Sequence, residues 1–169
     1  PKRTILFIGF AGEEFGLLGA QAWVKAHKDK LPKIANLFNR DGGPEPPVGI
    51  SVPQAMYDDF VKISEPIQKI RPDYPFEVKV REPRKRPTRM GGTDASVFAI
   101  EGVPTLGFTT EDFKGYDFDY GEIWHTERDL YTKNIPEYQE HTATVTAIIA
   151  LGVANLDKQL SREGLYTEE

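Results

Sequence analysis

A seven-residue apolar run, Thr4–Phe10 (TILFIGF), ends almost at once in Gly12-Glu13-Glu14. A continuous, partly β-branched run reads as a strand buried on both faces, the kind of strand found where helices cover both sides of a parallel sheet. It also leaves two adjacent carboxylates where a buried strand runs out. The ordinary reading of such a pair is electrostatic. Acidic residues in the first turn of a helix meet the positive end of its dipole, and a helix is expected over Phe15–His27. Whether the pair does more than this depends on what else reaches the same place.

Strands and helices alternate along the remainder. Strands are expected at Ile34–Asn39, Val48–Val52, Phe76–Val80 and Pro104–Thr109. Helices are expected at Gln54–Ile70, disturbed near Pro66, then at Thr93–Glu101 and Ile135–Leu160. The inner stripe of the last helix is read as Val145, Ile148, Ile149, Gly152, Val153 and Leu156. Arg81–Gly92 reads as a basic, Pro-containing loop, and Thr110–Asp129 as a long loop rich in acids and aromatics. The alternation predicts an α/β fold, a three-layer α/β/α sandwich on a mostly parallel mixed sheet. No domain-scale linker interrupts the 169 residues, so residues 1–169 read as a single domain. A core-quality strand at the fourth residue, with no Met before it, suggests the C-terminal portion of a longer chain.

Bulk properties exclude some classes. The formal net charge of −5 argues against a surface made for nucleic acid. No apolar run approaches the length of a membrane span, and no signal-peptide pattern opens the chain. With no cysteine, a transition-metal site has only His, Asp and Glu to draw on.

Those residues sit where the expected strands end. Glu13 and Glu14 follow the first strand, and Asp41 follows the second in Asn39-Arg40-Asp41-Gly42-Gly43. His125 lies in the loop after a later strand, within Trp124-His125-Thr126-Glu127-Arg128-Asp129. In open α/β sheets ligands bind at the carboxyl ends of strands. Adjacent Glu side chains point in different directions, so one can hold a metal while its neighbour faces the water to be activated. Taken singly, Asp41 reads as a turn former before Gly-Gly, and His125 as a surface residue.

Four stretches in order, F-A-G-E-E-F-G-L-L-G-A (10–20), N-R-D-G-G (39–43), G-G-T-D-A-S-V-F-A-I-E-G-V-P (91–104) and W-H-T-E-R-D (124–129), together resemble the co-catalytic di-zinc aminopeptidases. That family also holds glutaminyl cyclases, some carboxypeptidases and the inactive transferrin receptors. The resemblance covers nearly the whole chain. It implies a zinc-dependent exopeptidase that frees N-terminal residues from peptides, with Glu13 as general base. It implies Glu14 and His125 as ligands of one zinc and Asp41 as a ligand of the other. Asp94 matches an acidic position of supporting kind. Trp124 stands where many relatives carry a Tyr near the oxyanion, and Ala95 where a His is usual. The acids of residues 111–124 are candidates to attract a substrate's ammonium, and the aromatics there, Tyr120 among them, to form a side-chain pocket.

Two ligands of the family site lie before its Gly-Glu-Glu, a His and an Asp that bridges both metals. The nine residues before Phe10 contain neither. His27 stands 13 residues past Glu14, about 20 Å along a helix. His141, in the last helix, reads as a solvated residue. One zinc or none is therefore expected in this chain alone, against two in the complete family site, and the chain is expected to be an incomplete or inactive fragment. An exposed sheet edge would then associate with the missing portion or with a second copy. Two readings compete: a glutaminyl cyclase-like enzyme, and a metal-free binding module of the transferrin-receptor type. By resemblance alone, a secreted or periplasmic location is favoured. The basic run from Lys79 to Arg89 reads first as a solvated loop, and second as a surface for an acidic peptide or partner.

Overall fold

The computed structural model describes residues 1–167. Its strands are β1 (Pro47–Val52), β2 (Glu77–Val80) and β3 (Phe108–Thr110), and its α-helices are α1 (Leu18–Ala26), α2 (Tyr57–Ile70), α3 (Ala95–Ile100), α4 (Tyr120–Ile123) and α5 (Pro136–Asn155). β1 is the central strand, parallel to β2 and antiparallel to β3. The architecture is the mixed α/β one expected from the alternation, with a mixed three-stranded sheet among the described residues.

Two hydrophobic clusters lie around the sheet. The larger joins Ile50 and Val52 of β1 to Phe60 and Ile67 of α2 and to Val145, Ile149 and Val153 of α5. On α5 the buried positions Tyr138, His141, Val145, Ile149 and Val153 recur at helical spacing and make one stripe toward that core. The two helices approach closely at Gly152, where a Cβ would stand 2.3 Å from Ile63 Cγ2. The second cluster packs α1 on α3 through Leu17, Ala20, Val24, Val97 and Phe98. The extended segment at 34–38 serves both, sending Ile34 and Leu37 to the α1–α3 cluster and Ala35 and Phe38 to the other. It is therefore a middle layer with helices on each side.

Several expectations are corrected here. Ile34–Asn39 is extended but forms no ladder. Its neighbour begins at Pro104, which has no N–H, so the two segments join through Leu37 N–H to the Pro104 carbonyl. The Asn36 side-chain amide then takes a backbone's place, accepting from Leu106 N–H at 2.8 Å and donating to Leu106 O at 3.2 Å. Thr4–Phe10 is not a buried strand. Leu6, Phe7 and Ile8 are 63%, 94% and 40% exposed, because no strand lies beside them among the described residues. α2 runs unbroken through Pro66 to Ile70. His141 is fully buried, not solvated. Its ring stacks on Tyr74 at 3.9 Å and its Nε2 meets the Pro47 carbonyl at 3.0 Å. Burial holds its pKa below the ordinary histidine value.

The basic run is partly used within the fold. Lys79 pairs with Glu77, Arg81 donates to Glu82 and Leu165 carbonyls, and Arg86 caps the Ile100 carbonyl. No helix among the described residues is long and apolar enough to cross a membrane.

Candidate metal centre

The Glu pair does not serve the helix dipole. α1 begins at Leu18 and carries no acidic residue in its first turn. Glu13 and Glu14 instead stand in a tight turn before it. The Glu13 carbonyl accepts from Gly16 N–H at 2.9 Å and from Leu17 N–H at 2.8 Å. Gly12 and Gly16 have φ of +70° and +103°, which glycine adopts freely. Leu17 takes φ +60° as well, at a cost on the order of 1 kcal/mol for a residue with a Cβ. Burial of Leu17 among the α1–α3 residues offsets that cost. The turn thus holds both carboxylates clear of the helix.

Asp41 leaves the extended segment at 34–39 and enters Gly42-Gly43. Arg40 closes that turn with its guanidinium on the Gly43 and Glu45 carbonyls. His125 follows α4, whose start is capped by the Asp119 carboxylate accepting from Gly121 N–H at 2.8 Å. Its own φ is +56°, the third non-glycine residue of the described chain in this region, with Leu17 and Asp117.

These three pieces meet. His125 Nε2 lies 3.0 Å from Glu14 Oε1, across 111 residues of sequence. Glu13, Glu14, Asp41 and His125 all line one cleft of about 1030 Å³. Glu13 holds its proton more tightly than an ordinary glutamate: partial desolvation pushes its pKa up, and so do Glu14, Asp41 and Asp94, while His125 opposes them. All five groups therefore share one electrostatic neighbourhood. Trp124 and Tyr120 line the same cleft, and Leu130 and Tyr131 join them. The last two were missed in sequence; their one signal is that they continue W-H-T-E-R-D directly. His27, just past the end of α1, stacks on Trp23, away from the cleft.

The acids of the 111–124 loop are largely occupied. Asp112 accepts from the Tyr138 hydroxyl at 2.6 Å and Glu122 pairs with Lys133 at 3.0 Å. Phe113 and Tyr116 pack against Tyr138, so of the loop's aromatics only Tyr120 and Trp124 line the cleft.

Asp94 stands at the start of α3, 7% exposed, and its Oδ1 has no hydrogen-bond partner. Burial, and then Asp41, raise its pKa. A buried carboxylate without a partner destabilises its surroundings when ionised. In the metal-free protein Asp94→Asn is therefore expected to stabilise the fold at pH 7 by about 1 kcal/mol. Because the folded pKa lies above the unfolded value, the penalty is present above the folded pKa and fades as pH falls toward 3.8. Urea titrations of both proteins at pH 7 and near pH 4 check this; equal stabilities at pH 7 would contradict it.

The donor set suits zinc in kind. Carboxylate oxygens and an imidazole nitrogen are among its ordinary ligands, and two ligand atoms on one tetrahedral zinc stand about 3.3 Å apart. The Glu14–His125 separation is close to that. No group of three or more His, Asp and Glu side chains is gathered tightly enough to hold an ion among the described residues. Glu14 and His125 are thus a two-donor fit, with Asp41 at the same cleft.

The class that a layered α/β fold with Glu-Glu, Asp and His at one cleft brings into view is that of the co-catalytic zinc exopeptidases, and the family match supplies it. The sequence profile of peptidase family M28 matches residues 1–149, and this chain belongs to that family. Carboxypeptidase Q of Mus musculus is 24% identical over 167 residues, 96% of this chain and 32% of that protein. A probable zinc metalloprotease of Pyrenophora tritici-repentis is 49% identical over 41 residues, 24% of this chain and 9% of that protein. The crystal structure of a peptidase M28 precursor from Shewanella amazonensis superposes with a TM-score of 0.65 at 24% identity, covering 90% of this chain and 31% of that one. The chain spans about a third of the length of carboxypeptidase Q.

Proposed function

We propose that this chain carries the base and part of the metal shell of a zinc exopeptidase that removes N-terminal residues from peptides. The observation that carries the reading is the 3.0 Å approach of His125 to Glu14, with Glu13 and Asp41 lining the same cleft. Glu14 and His125 would hold one zinc, and Asp41, at the same cleft, would serve a second. Two side-chain donors make only part of a zinc shell, so further donors would be needed to complete it.

Zinc, when bound, supplies Lewis acidity toward the scissile carbonyl and the attacking water. Glu13 takes the proton of that water and delivers it to the leaving amine. Trp124, in contact with the His125 ring, keeps bulk water from one side of that imidazole. The cleft also favours an N-terminal ammonium over a C-terminal carboxylate. Its lining carries the carboxylates of Glu13, Glu14, Asp41 and Asp129 against the cations Arg40 and Lys133, and Lys133 is already paired with Glu122.

Zinc content tests the assignment. The chain alone is expected to bind no more than one zinc, and Glu14→Ala and His125→Ala to weaken it more than the about 10–100-fold that follows loss of an outer-shell partner. Metal analysis after dialysis against graded zinc buffers reads both. Two tightly held zincs with hydrolysis of leucine anilide would overturn the need for further donors. Wild-type zinc affinity in both variants would overturn the ligand assignment.

A further inference from the structure

The densest positive charge of this acidic chain lies away from the cleft. Lys79, Arg81, Arg84, Lys85, Arg86 and Arg89 face a single carboxylate, Glu82, within residues 79–89, in a protein of formal net charge −5. None of the six lines the cleft. The fold draws three of them together: burial raises the Tyr166 pKa, and Arg84, Arg86 and Arg81 jointly oppose it. Arg81 Nε is buried without a hydrogen-bond partner, and burial, then Arg84, lower the pKa of that guanidinium. Arg84, Lys85 and Arg89 have no ion-pair partner among the described residues. Like charges held this close repel, and an anion among them relieves the repulsion.

The basic run begins on an open sheet edge. β2 pairs with β1 on one side and is an end strand of the sheet. Arg81 N–H reaches the Val52 carbonyl at 2.9 Å, so the alternation of a parallel ladder turns the N–H and C=O groups of Val78 and Val80 outward. No described segment pairs with them there, and Val80 is 45% exposed. Just past the strand the protein already holds one extended segment of its own. The Arg84 N–H donates to the Leu165 carbonyl, and the Arg84 carbonyl accepts from Thr167 N–H at 2.9 Å. We infer that the β2 edge and the arginines beyond it dock an extended acidic segment of a partner protein, which adds as a strand beside β2 and sets its carboxylates against Lys79, Arg81, Arg84 and Lys85. Main-chain bonds to Val78 and Val80 hold such a strand, and alternate side chains give it specificity. Acids at every second position stand about 6.6 Å apart on one face, as Lys79 and Arg81 do on β2. Charge on an edge strand also keeps other strands away. That duty needs charge on the strand itself, whereas five of the six cations lie past its end at Val80. A nucleic acid would meet the same cations, but it gains nothing from a sheet edge and is repelled by the rest of an acidic chain.

Fluorescence anisotropy on the 169-residue chain tests this. The probes are a labelled octapeptide of alternating Glu and Thr, its Lys–Thr counterpart, and a Glu–Thr peptide N-methylated at alternate residues. Oligo-dT and phosphatidylserine vesicles are measured beside them. The Glu–Thr peptide is expected to bind at least about tenfold more tightly than the Lys–Thr peptide, and to weaken several-fold as NaCl rises from about 50 to about 300 mM. N-methylation keeps the charge and removes backbone donors, so it should weaken binding by a similar factor. Arg84→Glu with Lys85→Glu is expected to cut affinity for the Glu–Thr peptide at least about tenfold. Both side chains are exposed, so the melting temperature should hold. Arg89→Glu supplies the same comparison if it does not. Amide exchange at Val78 and Val80 should slow in the complex with the unmethylated peptide. Absence of binding at low salt would overturn the inference and leave the charges as edge protection. Equal binding of the N-methylated peptide, affinity unmoved by charge reversal, or tighter binding of oligo-dT or vesicles would also overturn it.

Discussion

Glu13→Gln in the active enzyme is expected to lower kcat by about 10²–10⁴-fold, the usual contribution of a positioned general base, while zinc content stays at the wild-type level. Gln keeps the shape of the side chain and removes only its capacity to take a proton. Its neighbour should behave oppositely: Glu14 meets His125 and is assigned to the metal, so its loss should be seen first as lost zinc. The two adjacent carboxylates are separable by this pair of readouts. A Glu13→Gln enzyme that retains wild-type kcat, or that loses zinc as readily as Glu14→Ala, would reverse the assignment. The metal-free chain has its own expected pH dependence. Desolvation and the carboxylates of Glu14, Asp41 and Asp94 raise the Glu13 pKa, so the base form is lost as pH falls through a value above 4.5. An NMR titration of the metal-free chain that finds an ordinary glutamate at this position would contradict that expectation.

Phe60→Ala is expected to cost about 3–5 kcal/mol. At about 2–4 °C per kcal/mol for a chain of this size, the melting temperature falls by on the order of 10 °C. Phe60 is fully buried in the cluster that joins α2, α5 and β1, so its removal leaves a cavity that the surrounding side chains cannot fill. Phe7→Ala is the matched comparison. Phe7 is 94% exposed, and its replacement should change stability by no more than about 0.5 kcal/mol. Thermal unfolding followed by circular dichroism checks both in the same chain. Equal losses at the two positions would show that the segment around Phe7 is covered in solution.

That contrast also shows where local reading of this sequence stops. TILFIGF is at least as apolar as the β1 stretch PVGISV, yet only the latter is a strand. β1 becomes a strand because β2 and β3 lie beside it, and Thr4–Phe10 finds no such neighbours among the described residues. Ile34–Asn39 falls between the two, extended and half-paired, because its neighbour opens with a proline and the Asn36 amide takes over the backbone's role. Helical periodicity was more reliable. The stripe of α5 and the reach of α2 follow from spacing, since a helix satisfies its own backbone whatever its neighbours are. His141 shows the limit of this too. Its polar type led to a solvated reading, four residues before the first position of the expected stripe, and the structure buries it against the Tyr74 ring and the Pro47 carbonyl.

By itself the sequence determined the alternation of strands and helices, the family through four short stretches in register, and the residue types available to a metal. All of these are carried by local pattern. Only the tertiary structure decided that Glu13 and Glu14 leave the helix start, through left-handed backbone at Leu17 and its flanking glycines. It alone brought His125 to Glu14 across 111 residues and set Tyr131 beside them. The physical reason is that a site is made where chain segments distant in sequence converge. Such convergence depends on how buried faces pack and on which turns can take a positive φ, and neither is written in the spacing of any one segment.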